Sequence, residues 1–163
     1  VKKDEVIEFL DRAQSHADDT SGCVKVAVGC VIVQPKSSKQ SIHEIYGVNR
    51  TIPKTCKVSG CHRVELYGED SKEHRLPSDC RAVHAEIDAI ATAARFGIQI
   101  SRSTIIVTRY PCEACARAIV TAGIKHVYYG RGQVISQETE RIFDEGNVKV
   151  THVDDWRYID VER

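Results

Sequence analysis

Two short stretches of the 163-residue chain carry side chains that could do chemistry together. One is His84-Ala85-Glu86, near the head of the run VHAEIDAIATAARFG, residues 83–97. The other is Pro111-Cys112-Glu113-Ala114-Cys115, at the head of a run that ends in Gly123. One imidazole and two thiolates make a zinc site with its fourth position open to water, which is the catalytic rather than the structural arrangement. Water held there is far more acidic than bulk water, with a pKa of about 7. Glu86 lies two residues from His84, about 200° round a helix, so the two do not share a face. It can flank the water without binding the metal, and it can move the water's proton if a dry pocket raises its own pKa. A plain buried helix has no use for such a pair in its first turn.

These residues need elements to hold them. Ile87, Ile90, Ala91 and Ala94 recur at helical spacing and Gly97 stands where a helix stops, so a helix is expected over 84–96. Cys112 and Cys115, three apart, lie on one side of a second helix over 112–123. Pro111 suits the position just before it, and the partial positive charge of a helix N-terminus favours thiolate. Val6, Phe9, Leu10, Ala13 and Ala17 predict an opening helix. The Val- and Ile-rich stretch 23–33 reads as a strand, with 41–49 as its hairpin partner. Further strands are expected at 103–108, 126–130 and 147–153, with Ser136 capping a helix through Glu145. Strand and helix alternate in the second half, which predicts parallel neighbours joined by right-handed crossovers. The expected fold is α/β, a mixed five-stranded sheet with helices on both faces. The helix at 136–145 lets the last two strands run parallel, where a tight hairpin would reverse them. Residues 50–82 show no period and form a long loop, uncommon in a small domain unless functional or pinned.

The length suits one domain, 1–163, and is short for two. Lys plus Arg equals Asp plus Glu, 23 each, so no strongly basic face for nucleic acid is advertised. No apolar run approaches a membrane span. No basic stretch followed by an apolar one opens the chain, so a cytoplasmic location is expected. There the seven cysteines are thiols or metal ligands more often than disulfides.

His-x-Glu followed by Pro-Cys-x-x-Cys is the zinc-deaminase signature, and His84, Glu86, Pro111, Cys112 and Cys115 match every letter of it. With AVGCVIV, YGVN, CRAVHAEIDAI and TRYPCEACARAIVTAGIKHVYYG, the chain resembles the zinc-dependent cytidine deaminase superfamily over about residues 6–153, most closely its deoxycytidylate (dCMP) deaminases. The resemblance implies a three-layer α-β-α sandwich with strand order 2-1-3-4-5. It also implies hydrolysis of dCMP to dUMP and ammonia, feeding thymidylate synthesis, and assembly as a homo-oligomer. By the same resemblance Asn49 contacts the sugar, the backbone at Ala85 helps read the pyrimidine carbonyl, and residues near Val28 pack on the ring. This chain has Gly47-Val48-Asn49-Arg50 where the family commonly has Gly-Tyr-Asn-Gly, a stretch that helps form its dCTP and dTTP allosteric site. Arg50 could instead reach a phosphate, as could Lys54 and Arg109.

Tyr110 stands where tRNA adenosine deaminases usually place Glu, and aromatic residues occupy that place in many dCMP deaminases. The tRNA-type enzyme, or a deaminase of another nucleobase such as a riboflavin precursor, is the alternative reading, followed by a zinc-stabilised binding module without catalysis. Glu86 speaks against the module, which has no need of a proton shuttle.

Cysteine-bearing insertions like 50–82 occur in bacterial and phage dCMP deaminases, some with a second, structural zinc. Four N/S ligands closing on a metal would order a long loop. Cys56, Cys61 and Cys80 are the expected ligands, with His74, His62 or Cys23 as the fourth. The alternative is free thiols and surface histidines.

Overall fold

The computed structural model describes residues 2–35, 44–51, 56–68, 80–132 and 136–156. Helix α1 (Lys3–Thr20) buries Val6, Phe9, Leu10, Ala13, Gln14 and Ala17, the predicted stripe with Gln14 added. Strand β1 (Gly29–Val33) pairs antiparallel with β2 (Glu44–Val48) and, on its other side, with β5 (Thr104–Arg109). Strands β5, β6 (His126–Arg131) and β7 (Lys149–His152) are parallel neighbours. The sheet order is β2-β1-β5-β6-β7, which is 2-1-3-4-5 when only its own five strands are numbered. Helix α6 (Gln137–Glu145), whose cap Ser136 Oγ accepts from Thr139 N at 3.2 Å, makes the crossover that keeps β6 and β7 parallel.

Side chains alternate along the strands, so each strand feeds two cores. Cys30, Ile32, Ile105, Val107 and Val127 face α4 (Ala85–Arg95), α5 (Glu113–Thr121) and α6, with Ile119 and Phe143 packed among them. Val31 and Ile106 face α1, where Leu10 and Trp156 close the layer. The result is the expected three-layer sandwich. Trp156 comes from a tail that showed no pattern in the sequence. It lies against β6 where Gly130 leaves room, and its Nε1 donates to Asp11 Oδ1 at 2.8 Å.

Two expectations need correction. The strand begins at Gly29, not Cys23, because the preceding segment is held by side chains rather than by a ladder. Asn49 Nδ2 donates to Val26 O at 2.8 Å, and Val28 N donates to Asn49 Oδ1 at 3.0 Å. Residues 50–82 are not a plain loop. They leave through β3 (Arg50–Thr51) and return through β4 (Ala82–Val83), paired antiparallel with Arg50 opposite Val83. Among the described residues between them lie two short helices, α2 (Cys56–Ser59) and α3 (His62–Tyr67). Among the described residues no helix is long and apolar enough to cross a membrane.

Candidate metal centre and active site

The two motif stretches meet where the N-termini of α4 and α5 converge. His84 is the N-cap of α4 and Cys112 the N-cap of α5, both with extended backbone. Cys115 follows one turn into α5 and is buried. His84 Nδ1 stands 3.4 Å from Cys112 Sγ and 3.4 Å from Cys115 Sγ. All three ligand atoms lie within 4.8 Å of one another, the only such group among the described residues. Zn–N bonds of about 2.0 Å and Zn–S bonds of about 2.3 Å in a tetrahedron put N and S about 3.5 Å apart. The spacing therefore fits a zinc ion, and so does the donor chemistry.

Electrostatics agree with the geometry. The Cys112 thiol is pulled down to about 3, first by its hydrogen bond with Cys115 and then, against burial, by His84. Cys115 is pushed up by its hydrogen bond with Cys112 and by burial. His84 is raised, chiefly by its hydrogen bond with Cys112, against burial and, more weakly, the Arg63 guanidinium. Glu86 is 4% exposed, and burial holds its carboxyl above the ordinary carboxylate range.

A cavity of about 450 Å³ opens beside this group. His84, Ala85, Glu86 and Cys112 line it together with Val28, Asn49, Arg109 and Tyr110. Pockets that take small ligands span about 300–1,000 Å³.

A family model described as the cytidine and deoxycytidylate deaminase zinc-binding region matches residues 3–131. The chain belongs to this family. Among the curated relatives, ComE operon protein 2 of Bacillus subtilis is 31% identical over 143 residues, covering 87% of this chain and 68% of the relative. The deoxycytidylate deaminase of Enterobacteria phage T4 is 38% identical over 77 residues, covering 47% of this chain and 40% of the phage protein. Among solved structures, the dCMP deaminase of cyanophage S-TIM5, in complex with dCMP and dUMP, superposes with a TM-score of 0.65. It is 21% identical and covers 93% of this chain and 98% of the phage chain, a likeness of fold.

The substrate residues expected of a deaminase divide. Val28, Asn49, Ala85 and Tyr110 line the cavity. Tyr110 packs edge-on against Tyr129 at 4.8 Å, which fixes that wall. The Asn49 carbonyl is spent inside the protein, accepting from Ser21 Oγ at 2.5 Å and from Val28 N, so only its amide group has a hydrogen to offer a ligand. The Ala85 carbonyl accepts from Cys30 Sγ at 3.0 Å. Its N–H, at the first position of α4, has no partner within the helix and is the polar group a pyrimidine carbonyl could use.

Arg50 is not on the cavity. Its Nε donates to Asp88 Oδ1 at 3.1 Å, and Asp88 Oδ2 also accepts from Val48 N at 3.1 Å. Asp88 thereby ties the end of β2 to the first turn of α4. Nothing in the sequence marks it beyond an acid in a helix's first turn, where it also complements the dipole. Lys54 and His74 lie outside the described residues.

The second cysteine set is gathered only loosely. The Cys56 thiol is raised by burial and then by Cys23, Cys61 and Cys80, so the four share a neighbourhood. No three of them come together as closely as the His84 group does. His62 Nδ1 is engaged by Glu65 at 3.3 Å and Arg81 at 3.1 Å, which leaves Nε2 as the nitrogen it could offer a metal.

Proposed function

We propose that this chain catalyses the hydrolytic deamination of dCMP to dUMP and ammonia, with zinc held by His84, Cys112 and Cys115. The observation that carries the reading is the convergence of those three side chains beside a buried carboxylate, on the wall of a cavity of ligand size. Zinc bound there would acidify a water for attack on the ring carbon bearing the amine. Glu86 takes a proton from that water, gives it to the ring nitrogen, and delivers the next to the departing amine. Its burial supports this role, because a carboxylate held above its ordinary range by desolvation is a stronger base than a free one. The Ala85 N–H and the Asn49 amide orient the base and the sugar, and Val28 and Tyr110 exclude water from the ring.

An ultraviolet assay tests the reading. The zinc-loaded protein is expected to convert dCMP, and chelation is expected to abolish the conversion. No reaction with dCMP alongside inosine formation in a tRNA anticodon stem would overturn it in favour of the tRNA-type enzyme.

We read residues 1–163 as one deaminase domain, since Trp156 packs back onto α1. Free thiols and thiolate ligands suit a reducing compartment such as the cytoplasm. Assembly as a homo-oligomer extends the same reading, whereas control by dCTP and dTTP would need a site formed without the Gly-Tyr-Asn-Gly stretch that Gly47-Val48-Asn49-Arg50 replaces.

For the insertion we propose a second zinc on Cys56, Cys61 and Cys80, with Cys23 as the fourth thiolate. Metal analysis should then find two zinc ions per chain, falling to one in Cys56→Ser. One zinc in the unaltered protein removes this site and leaves the catalytic one untouched.

A further inference from the structure

Strand β2 lies at the edge of the five-stranded sheet. Amides on the open side of an edge strand need a partner from another element. At the last residue of β2 that partner is a side chain of α4: Val48 N donates to Asp88 Oδ2 at 3.1 Å. The same carboxylate, whose side chain is 13% exposed, accepts from Arg50 Nε at 3.1 Å through Oδ1. Both oxygens are thus taken by groups from Val48 and Arg50, the two residues that flank Asn49.

The connection closes on itself. Arg50 is the β3 residue opposite Val83, and Val83 leads directly into His84. Asp88 N donates to His84 O at 2.9 Å in the first turn of α4. Residues 48–50 therefore meet residues 83–88 twice: by backbone just before His84, and by the Asp88 carboxylate one turn after it. Asn49 lies on one side of this ring and His84 on the other, and both line the cavity. Arg50 and Asp88 stand outside it.

We propose that Asp88 is a positioning residue for the reacting centre: its carboxylate, with Arg50, fixes the His84 imidazole and the Asn49 amide at one separation across the cavity. The roles of those two groups rest on the dCMP reading above. Without Asp88 the helix keeps its place on the sheet, because Cys30 Sγ still donates to Ala85 O at 3.0 Å and the apolar face of α4 stays packed. What goes is the registry of its first turn against the end of β2. That matters because a displacement of about 1 Å in a reacting group costs about a hundredfold in rate. The hydrogen bond from Val48 N carries most of the effect, since it is charge-assisted and shielded from water. Arg50 is 53% exposed, so its arm of the clasp contributes less.

The test uses the zinc-loaded protein and its cobalt-substituted form, whose visible absorption bands report the geometry of the ligands. In Asp88→Ala, kcat on dCMP should fall about tenfold to a hundredfold. The cobalt bands should shift, a chelator should strip the metal faster, and dUMP should bind more weakly. Asp88→Asn and Arg50→Gln each break the ion pair and leave an acceptor for Val48 N, so each should lose about twofold to fivefold in kcat. The double variant should be no worse than either alone, because both interrupt one contact. Ala91→Gly, on the exposed side of α4, weakens the helix without touching the clasp. It should lower the melting temperature and leave kcat and the cobalt bands unchanged. Unaltered bands and kcat in Asp88→Ala, losses that multiply in the double variant, or the same changes in Ala91→Gly would overturn the proposal. Should Asp88→Ala not fold, the cycle between Arg50 and Asp88 decides alone. Failure of the functional reading looks different: dCMP would go unreacted even in the unaltered protein, while the cobalt bands and the rate of metal release would still decide the role of Asp88.

Discussion

Glu86→Gln is expected to hold zinc at the unaltered stoichiometry, bind dUMP within a few-fold of the unaltered protein, and deaminate dCMP at least about a hundredfold more slowly. Glutamine keeps the shape and the polar contacts of the side chain but has no oxygen basic enough to take a proton from water. The expected loss follows from position. Glu86 is the second residue of α4, buried, and close enough to Cys115 to share a hydrogen bond with it. It is not one of the three ligand atoms that gather, so the metal should stay. Stability should not fall, because the substitution removes a carboxyl whose ionised form is penalised by burial. The measurements are kcat on dCMP, zinc per chain, dUMP affinity and melting temperature. Undiminished turnover in the zinc-loaded variant would take the proton shuttle away from Glu86. Loss of zinc would instead make Glu86 part of the metal site.

How much of this was legible in the sequence depended on whether the cause was local. His84, Glu86, Cys112 and Cys115 could be read because each opens a helix, and helix starts leave marks: a proline, an acid in the first turn, an apolar period behind it. The sheet order could be read because strand and helix alternate, and because Ser136 announces the helix that keeps β6 and β7 parallel. Arg50 could not be placed. Its partner Asp88 is 38 residues away, and the pair exists only because the end of β2 meets the first turn of α4.

The insertion helices were invisible for a different reason. Helix α3 buries none of its six residues, so no apolar stripe shows a period. The segment before Gly29 misled in the opposite way. Its valines suggest a strand, but its backbone is held by Asn49 rather than by a neighbouring ladder, and composition cannot tell the two apart.

Gly47→Ala is expected to lower the melting temperature, weaken zinc binding and cost about a hundredfold in activity, although Gly47 touches neither metal nor substrate. A Cβ there would lie 2.2 Å from Ala85 O, 2.5 Å from Ala89 N and 2.8 Å from Ala89 Cβ. Two of these are backbone atoms of α4, which cannot swing aside as a flexible side chain does. Overpacking of this kind costs about 1–3 kcal/mol, and the relief available is for α4 to retreat from β2. Ala85 lies between His84 and Glu86, so that retreat draws both away from Cys112 and Cys115, which are fixed on α5. A nitrogen only 3.4 Å from its two sulfurs leaves little room for such a shift before the tetrahedron opens. Two controls separate this from a general loss of stability. Adding Ala89→Gly removes only the 2.8 Å contact, so it should not restore the double variant. Gly60→Ala meets nothing within 4 Å and strains only its own backbone at φ 76°, so it should cost some stability and leave zinc affinity unchanged. A Gly47→Ala protein with full zinc affinity and full turnover would mean that α4 can slide on the sheet without carrying the ligands, and that the close packing of β2 on α4 does not set the geometry of the site.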